Sequence, residues 1–104
     1  MLDNIEIEKL HIMDRLFEIY KKTIQYKSPF VRFEKQMQLR NIGLTSLSTL
    51  ILIIRIEKEF EIFIDLEYLL EQIKIKEQQN DVNIGYTIED LVNYIYELQQ
   101  NQPQ

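Results

Sequence analysis

Asn41-Ile42-Gly43-Leu44-Thr45-Ser46-Leu47 leads into a long apolar run that ends Ile56-Glu57-Lys58-Glu59-Phe60, and the helix predicted there sets the register for the rest of the chain. Gly43 lets the backbone turn sharply at little steric cost. Thr45 is a good N-cap, because its side-chain oxygen can accept a hydrogen bond from a free first-turn N–H. Ser46 then becomes the first helical residue, with its Oγ near the positive end of the helix, where an attached phosphate would be favourably placed. The helix is expected to run from about Ser46 to Phe60. Leu50, Ile53, Ile56 and Phe60, at steps of three and four, form its predicted core stripe, and full burial contributes about 1.5–3 kcal/mol for each such side chain. Leu47, Ile51 and Ile54 lie on a second face. A helix apolar on two sides either sits centrally or keeps one side for a partner. In so small a domain part of that second face is expected to stay exposed as a contact site.

Upstream, residues 4–26 place Ile5, Leu10, Met13, Leu16, Phe17, Tyr20 and Ile24 on one helical face, with charged residues opposite. Ser28-Pro29 is the predicted stop, since the residue before a proline is pushed out of the helical region. Residues 30–38 form a connector whose Phe30, Val31, Phe33 and Met37 predict a packed loop rather than a free linker. Downstream, residues 61–64, Glu-Ile-Phe-Ile, are read as a short extended exit from the helix. Asp65 is placed to cap a third, short helix over residues 66–73, with Leu66, Leu69, Leu70 and Ile73 as its apolar positions. Residues 74–85 are polar and read as a frayed helix end plus loop. Thr87 starts the last helix in a capping-box-like relation with Asp90, and Ile88, Leu91, Val92, Ile95 and Leu98 give it a core face. The fold predicted is all-α: three long helices plus one short one in a single domain over residues 1–98, followed by a disordered polar tail over 99–104.

At 104 residues the chain is long enough to bury a core without staples. It has no cysteine, so neither disulfides nor Cys-based metal sites are available. Its single histidine, His11, sits in a helical pattern and is read as a surface or partly buried helix residue. No catalytic constellation is visible, and the acids Glu57 and Glu59 read as solvated helix surface, so no enzyme is expected. A net charge of −5 argues against nucleic-acid binding. The apolar run 50–54, closed by Arg55, is far too short for a membrane span. The opening Met1-Leu2-Asp3-Asn4 lacks the basic start of a signal peptide, and a cytoplasmic protein is expected.

The stretch around Ser46 resembles the modification site of acyl and peptidyl carrier proteins, whose usual form is a Gly, an apolar residue, an Asp, the modified Ser and a Leu. Thr45 stands at the Asp position here. The end of the helix, Ile56-Glu57-Lys58-Glu59-Phe60, resembles the end of the family's second helix, and Ile62 with Ile64 falls where the family has an apolar exit. Tyr86-Thr87-Ile88 with Leu91, Val92 and Ile95 resembles the start of its last helix. The resemblance is close over residues 39–64 and looser over 86–98. It implies an acyl-carrier-like bundle, monomeric, with a 4′-phosphopantetheine arm attached to Ser46 by a phosphopantetheinyl transferase. It implies acyl-loading, synthase or transferase enzymes as further partners, with an acyl or aminoacyl group held as a thioester. Thr45 keeps the cap but loses the negative charge that basic partners grip. Ser48, Ile51 and Lys58, with Arg55 nearby, stand where fatty-acid carriers are often acidic. Docking is therefore expected to lean on Leu47, Ile51 and Ile54 beside Thr45, in a specialised pathway. The alternative is a carrier-fold interaction module that is never modified, in which Ser46 is only a first-turn residue and the apolar face binds a partner directly.

Overall fold

The apolar periodicity resolves into four α-helices: α1 (Asn4–Ile24), α2 (Ser46–Phe60), α3 (Leu66–Gln78) and α4 (Ile88–Asn101), with a 3-10 turn at Leu39–Asn41. The structure is a computed structural model and describes residues 2–24, 32–78 and 85–101. Among these residues there is no strand, and the one extended pairing is an isolated antiparallel bridge between Gln38 and Thr87. The chain is all-α. The predicted stop at Ser28-Pro29, the connector residues Phe30 and Val31, the loop residues 79–84 and the tail residues 102–104 lie outside the described residues.

α1 lies against both α2 and α4. It buries Ile12, Leu16, Ile19, Tyr20 and Ile24, a wider arc than a single stripe, because two neighbours must be served at once. Ile12 and Ile19 are therefore core residues that the predicted face omitted. Ile5, assigned to that face, is 49% exposed, about two turns before Ile12, the first buried residue of the helix. Met13 and Phe17 are partly buried against it.

α2 has the predicted boundaries, and three of its four predicted core residues, Ile53, Ile56 and Phe60, are buried, with Leu52 in place of Leu50. Leu50 is 42% exposed. The run from 50 to 54 is apolar at every position, so its spacing alone cannot say whether Leu50 or Leu52 shares a face with Ile56. The end of α2 is held from α1. Arg15 Nη2 donates to the Glu59 carbonyl at 2.8 Å, and the guanidinium lies 4.3 Å from the centre of the Phe60 ring. The accompanying Arg15–Glu59 ion pair is half-exposed and adds little by itself. Glu61 closes the helix in the left-handed region (φ 54°), its N–H donating to the Glu57 carbonyl. Beyond it Ile62 and Ile64 are buried and Phe63 faces outward, the alternation of an extended exit. The Ile64 amide donates to Glu57 Oε2 at 2.8 Å. Glu57 is thus a structural acceptor at the helix exit rather than solvated surface.

α3 begins where predicted, with Asp65 Oδ1 accepting from the Tyr68 amide at 3.2 Å. It does not stop at Ile73. Residues 74–78 contain no Gly or Pro and are rich in Lys, Glu and Gln, all good helix formers, so the helix continues. At 13 residues, against 15 for α2 and 14 for α4, the helix expected to be short is not short. Of its four predicted apolar positions Leu69 is buried, Leu66 and Ile73 are partly buried against the core, and Leu70 is 48% exposed. Lys76 Nζ reaches to 3.8 Å from Asp90 Oδ1 on α4.

α4 buries Ile88, Leu91, Val92 and Ile95, with Leu98 partly buried. It runs through Asn101, so residues 99–101 extend the helix past the predicted domain boundary at Leu98. Its N-terminus is closed on every side. Thr87 Oγ1 accepts from the Asp90 amide at 3.1 Å and Asp90 Oδ2 accepts from the Thr87 amide at 2.9 Å. The Ile88 and Glu89 amides donate to the connector carbonyls of Met37 (2.8 Å) and Lys35 (3.0 Å), while the Leu39 amide donates to the Tyr86 carbonyl at 2.8 Å. The connector packs as its aromatics predict: Phe33 is buried, its ring 4.7 Å from that of Tyr20 and 5.1 Å from that of Phe17.

Truncating a well-packed buried Phe costs about 3–5 kcal/mol, so Phe60→Ala is expected to lower stability by that amount in a urea titration. Ile51→Glu, at the rim of the helix, is expected to leave the midpoint nearly unchanged. An undisturbed midpoint for Phe60→Ala would show that the ring contributes no core packing.

Candidate modification site

The loop that delivers Ser46 is fixed from below. The hydroxyl of Tyr20, fully buried on α1, donates to the Ile42 carbonyl at 2.7 Å, and Ile42 itself is 1% exposed. From this anchor the chain turns outward at Gly43, whose φ of +83° is a conformation that side chains with a Cβ rarely adopt. No atom lies within 4 Å of where a Cβ would sit, so the backbone angle, not crowding, calls for glycine.

Thr45 is the N-cap, in extended conformation (φ −84°, ψ 173°). Its Oγ1 accepts from the Ser48 amide at 3.1 Å, and the Ser48 Oγ accepts from the Thr45 amide at 2.7 Å. Thr49 Oγ1 donates to the Thr45 carbonyl at 2.8 Å. Thr45 and Ser48 therefore form a capping box with serine in the position that Glu or Gln usually fills. The T-x-x-S spacing was legible in the sequence as the signal for it. Three hydroxyls are occupied with the cap. That of Ser46, exposed at the first position of the helix, bonds to none of the described residues. Among those residues the Ser46 and Leu47 amides also keep no protein acceptor, unlike their counterparts in α4, and the first turn of α2 holds no acid. Two open amides at a positive helix end suit a phosphoryl group on the adjacent oxygen.

Leu47 is 68% exposed, Ile51 36% and Ile54 53%, as the second face of the helix predicts. Leu50 joins them. Positions 47, 50, 51 and 54 follow the i, i+3, i+4, i+7 rule, so the four form one aliphatic strip that starts beside Ser46. Their exposure together is a surface feature of a kind usually reserved for contacts.

Elsewhere the chemistry is structural. His11 is exposed on α1. Burial, with Asp90 nearby as a smaller cause, pushes the Tyr86 hydroxyl well above its ordinary range, and burial raises that of Tyr94 as well; both stay neutral at physiological pH. Among the described residues no group of three His, Cys, Asp or Glu is placed to hold a metal ion, and no helix is long and apolar enough to cross a membrane. Comparison with protein-family models, curated proteins and solved structures gives no match for this chain.

Two substitutions test how the site is held, both read by denaturant unfolding. Tyr20→Phe leaves the buried Ile42 carbonyl without its donor and is expected to cost about 1–3 kcal/mol. Gly43→Ala is expected to cost about 1–2 kcal/mol from the left-handed backbone alone. A neutral Gly43→Ala would mean that the loop relaxes to another path.

Proposed function

We propose that the chain is a carrier protein that holds an acyl or aminoacyl group on a 4′-phosphopantetheine arm attached to Ser46. The observation that carries the reading is the division of labour at the start of α2: Thr45, Ser48 and Thr49 make the cap, and the Ser46 hydroxyl is left exposed and unengaged. A serine retained only for capping would stand at Thr45 or Ser48. The residues present fit the group, since an oxygen on Ser46 sits next to two open first-turn amides and no carboxylate opposes a phosphate there. Support also comes from the order of elements, a long first helix, an outward turn at Gly43, the Ser46 helix and two further helices. When bound, the arm supplies a terminal thiol that holds an acyl group as a thioester within reach of successive enzymes, at high effective concentration. This chain's own residues anchor the loop, present the hydroxyl and offer the aliphatic strip to a phosphopantetheinyl transferase and to acyl-loading, synthase or transferase enzymes. The carrier needs no base of its own. The length of α3, the Thr45 cap and the lack of acid in the first turn point to a specialised pathway.

The second reading is an unmodified helical interaction module that binds a protein through the same strip. The acid-free first turn favours it, because a transferase that grips a carboxylate before the serine finds Thr45 instead.

Incubation of the full chain with coenzyme A and a broad-specificity phosphopantetheinyl transferase separates the two. Intact mass is expected to rise by one phosphopantetheinyl group, and Ser46→Ala is expected to abolish the gain while leaving the circular dichroism spectrum unchanged. A gain that persists in Ser46→Ala, or maps to Ser48, would overturn the assignment. An unmodified chain across several transferases would favour the interaction module.

A further inference from the structure

The aliphatic strip of α2 does not end in neutral surface. Lys58 lies four residues beyond Ile54 and Arg55 four beyond Ile51, so both continue the face that starts at Ser46. Across from them, Lys22 of α1 closes a cleft of about 220 Å³ floored by Ile19 and bordered by Glu59. The carboxylate of Glu59 is already paired with Arg15 at 3.3 Å. Arg55 is half-buried and oriented: its Nη1 donates to Thr23 Oγ1 at 3.4 Å, and that hydroxyl donates in turn to the Ile19 carbonyl at 2.8 Å. Among the described residues the ion pairs are Arg15–Glu59, Lys21–Glu18 and Lys76–Asp90, so Lys22, Arg55 and Lys58 meet no carboxylate of their own. Three uncompensated cations thus converge at one end of the strip in a chain whose net charge is −5.

We infer that this surface is the docking site for a protein segment that presents aliphatic side chains followed by carboxylates. From Ser46 to Lys58 is about 18 Å at the α-helical rise, the length of a three-turn helix. Aliphatic groups on the partner would cover Leu47, Leu50, Ile51 and Ile54, and its acids would meet the cationic cleft, Arg55 offering the four guanidinium N–H donors that Thr23 leaves. A second copy of the chain does not fit as well. Antiparallel pairing of two α2 strips would set the cationic end of each against the acid-free first turn of the other, and unlike a partner's acids that turn offers no compensation. The inference goes beyond the carrier reading and concerns unmodified protein, so it stands or falls separately from the Ser46 mass measurement.

The test is a fluorescence-anisotropy and ¹H–¹⁵N titration of the full chain with two synthetic amphipathic helical peptides. They share a leucine face and differ only in carrying Glu or Lys at its flank. The Leu/Glu peptide is expected to bind, with amide shifts along α2 and at Lys22, and to weaken as salt screens the contact. Combined Arg55→Gln and Lys58→Gln is expected to weaken it about tenfold, the scale of losing two partly exposed ion pairs. Lys22→Gln, on an exposed side chain, gives a smaller loss and guards against unfolding through the Arg55–Thr23 contact. Ile54→Asp is expected to remove binding. Equal or tighter binding of the Leu/Lys peptide, indifference to both cation variants, or no binding of either peptide would overturn the inference. So would a dimer in sedimentation that Ile54→Asp dissolves, because a second copy would then cover the strip.

Discussion

The hydrogen bond from the Tyr20 hydroxyl to the Ile42 carbonyl is the constraint on which the arrangement around Ser46 depends. A carbonyl buried as deeply as that of Ile42 must have a donor, and in the described structure a side chain from another helix supplies it. Tyr20 also stacks among Phe17 and Phe33, so the same residue orders the connector and the loop. One buried tyrosine therefore ties three parts of the chain together, its ring packing α1 against the connector and its hydroxyl holding the approach to α2. Gly43 then turns the backbone outward immediately after the anchor. Ser46 is exposed not because its surroundings are loose but because the residues before it are held.

The starts of α4 and α2 show how the chain distributes its backbone donors. At α4 the side chains of Thr87 and Asp90 and the carbonyls of Met37 and Lys35 take up the first-turn amides, which welds the connector to the bundle. At α2 the capping box takes up the third amide and leaves the first two open. Both ends are well-formed by local chemistry, yet one is finished structure and the other keeps hydrogen-bonding capacity at the surface. Electrostatically, this face of α2 is positive at its open end, through the Ser46 and Leu47 amides, and positive again at its far end, at Lys22, Arg55 and Lys58, with aliphatic surface between. That pattern departs from the acidic second helix of an ordinary fatty-acid carrier.

Much of this was legible in the sequence where local rules act alone. The N-cap at Thr45, the start at Ser46, the cap at Asp65 and the Thr87–Asp90 box depend on residues within four positions of one another, and each stands where short-range spacing puts it. Exposure of Leu47, Ile51 and Ile54 also followed, because a small domain has too little interior to bury a helix on two sides. What was not legible depended on distant partners. Leu50 and Leu52 differ only in which side meets α1, and an unbroken apolar run contains no phase information. Ile12 and Ile19 are buried because α1 has two neighbours, which its own periodicity does not record. Glu57 looked like surface until the Ile64 amide came within 2.8 Å of it. The ends of α3 and α4 were set too early because polar composition was read as a stop, whereas a helix stops at a breaker or for want of packing.

α3 has a property of a different kind. It commits a single buried side chain, Leu69, to the interior, while Tyr68, Leu70 and Ile75 remain in contact with water. α1, α2 and α4 each bury four or five. The free energy that keeps α3 docked is accordingly a small part of the total, and regions attached by few apolar contacts open locally at a fraction of the global cost. Local opening is therefore expected first at α3, ahead of α1, α2 and α4.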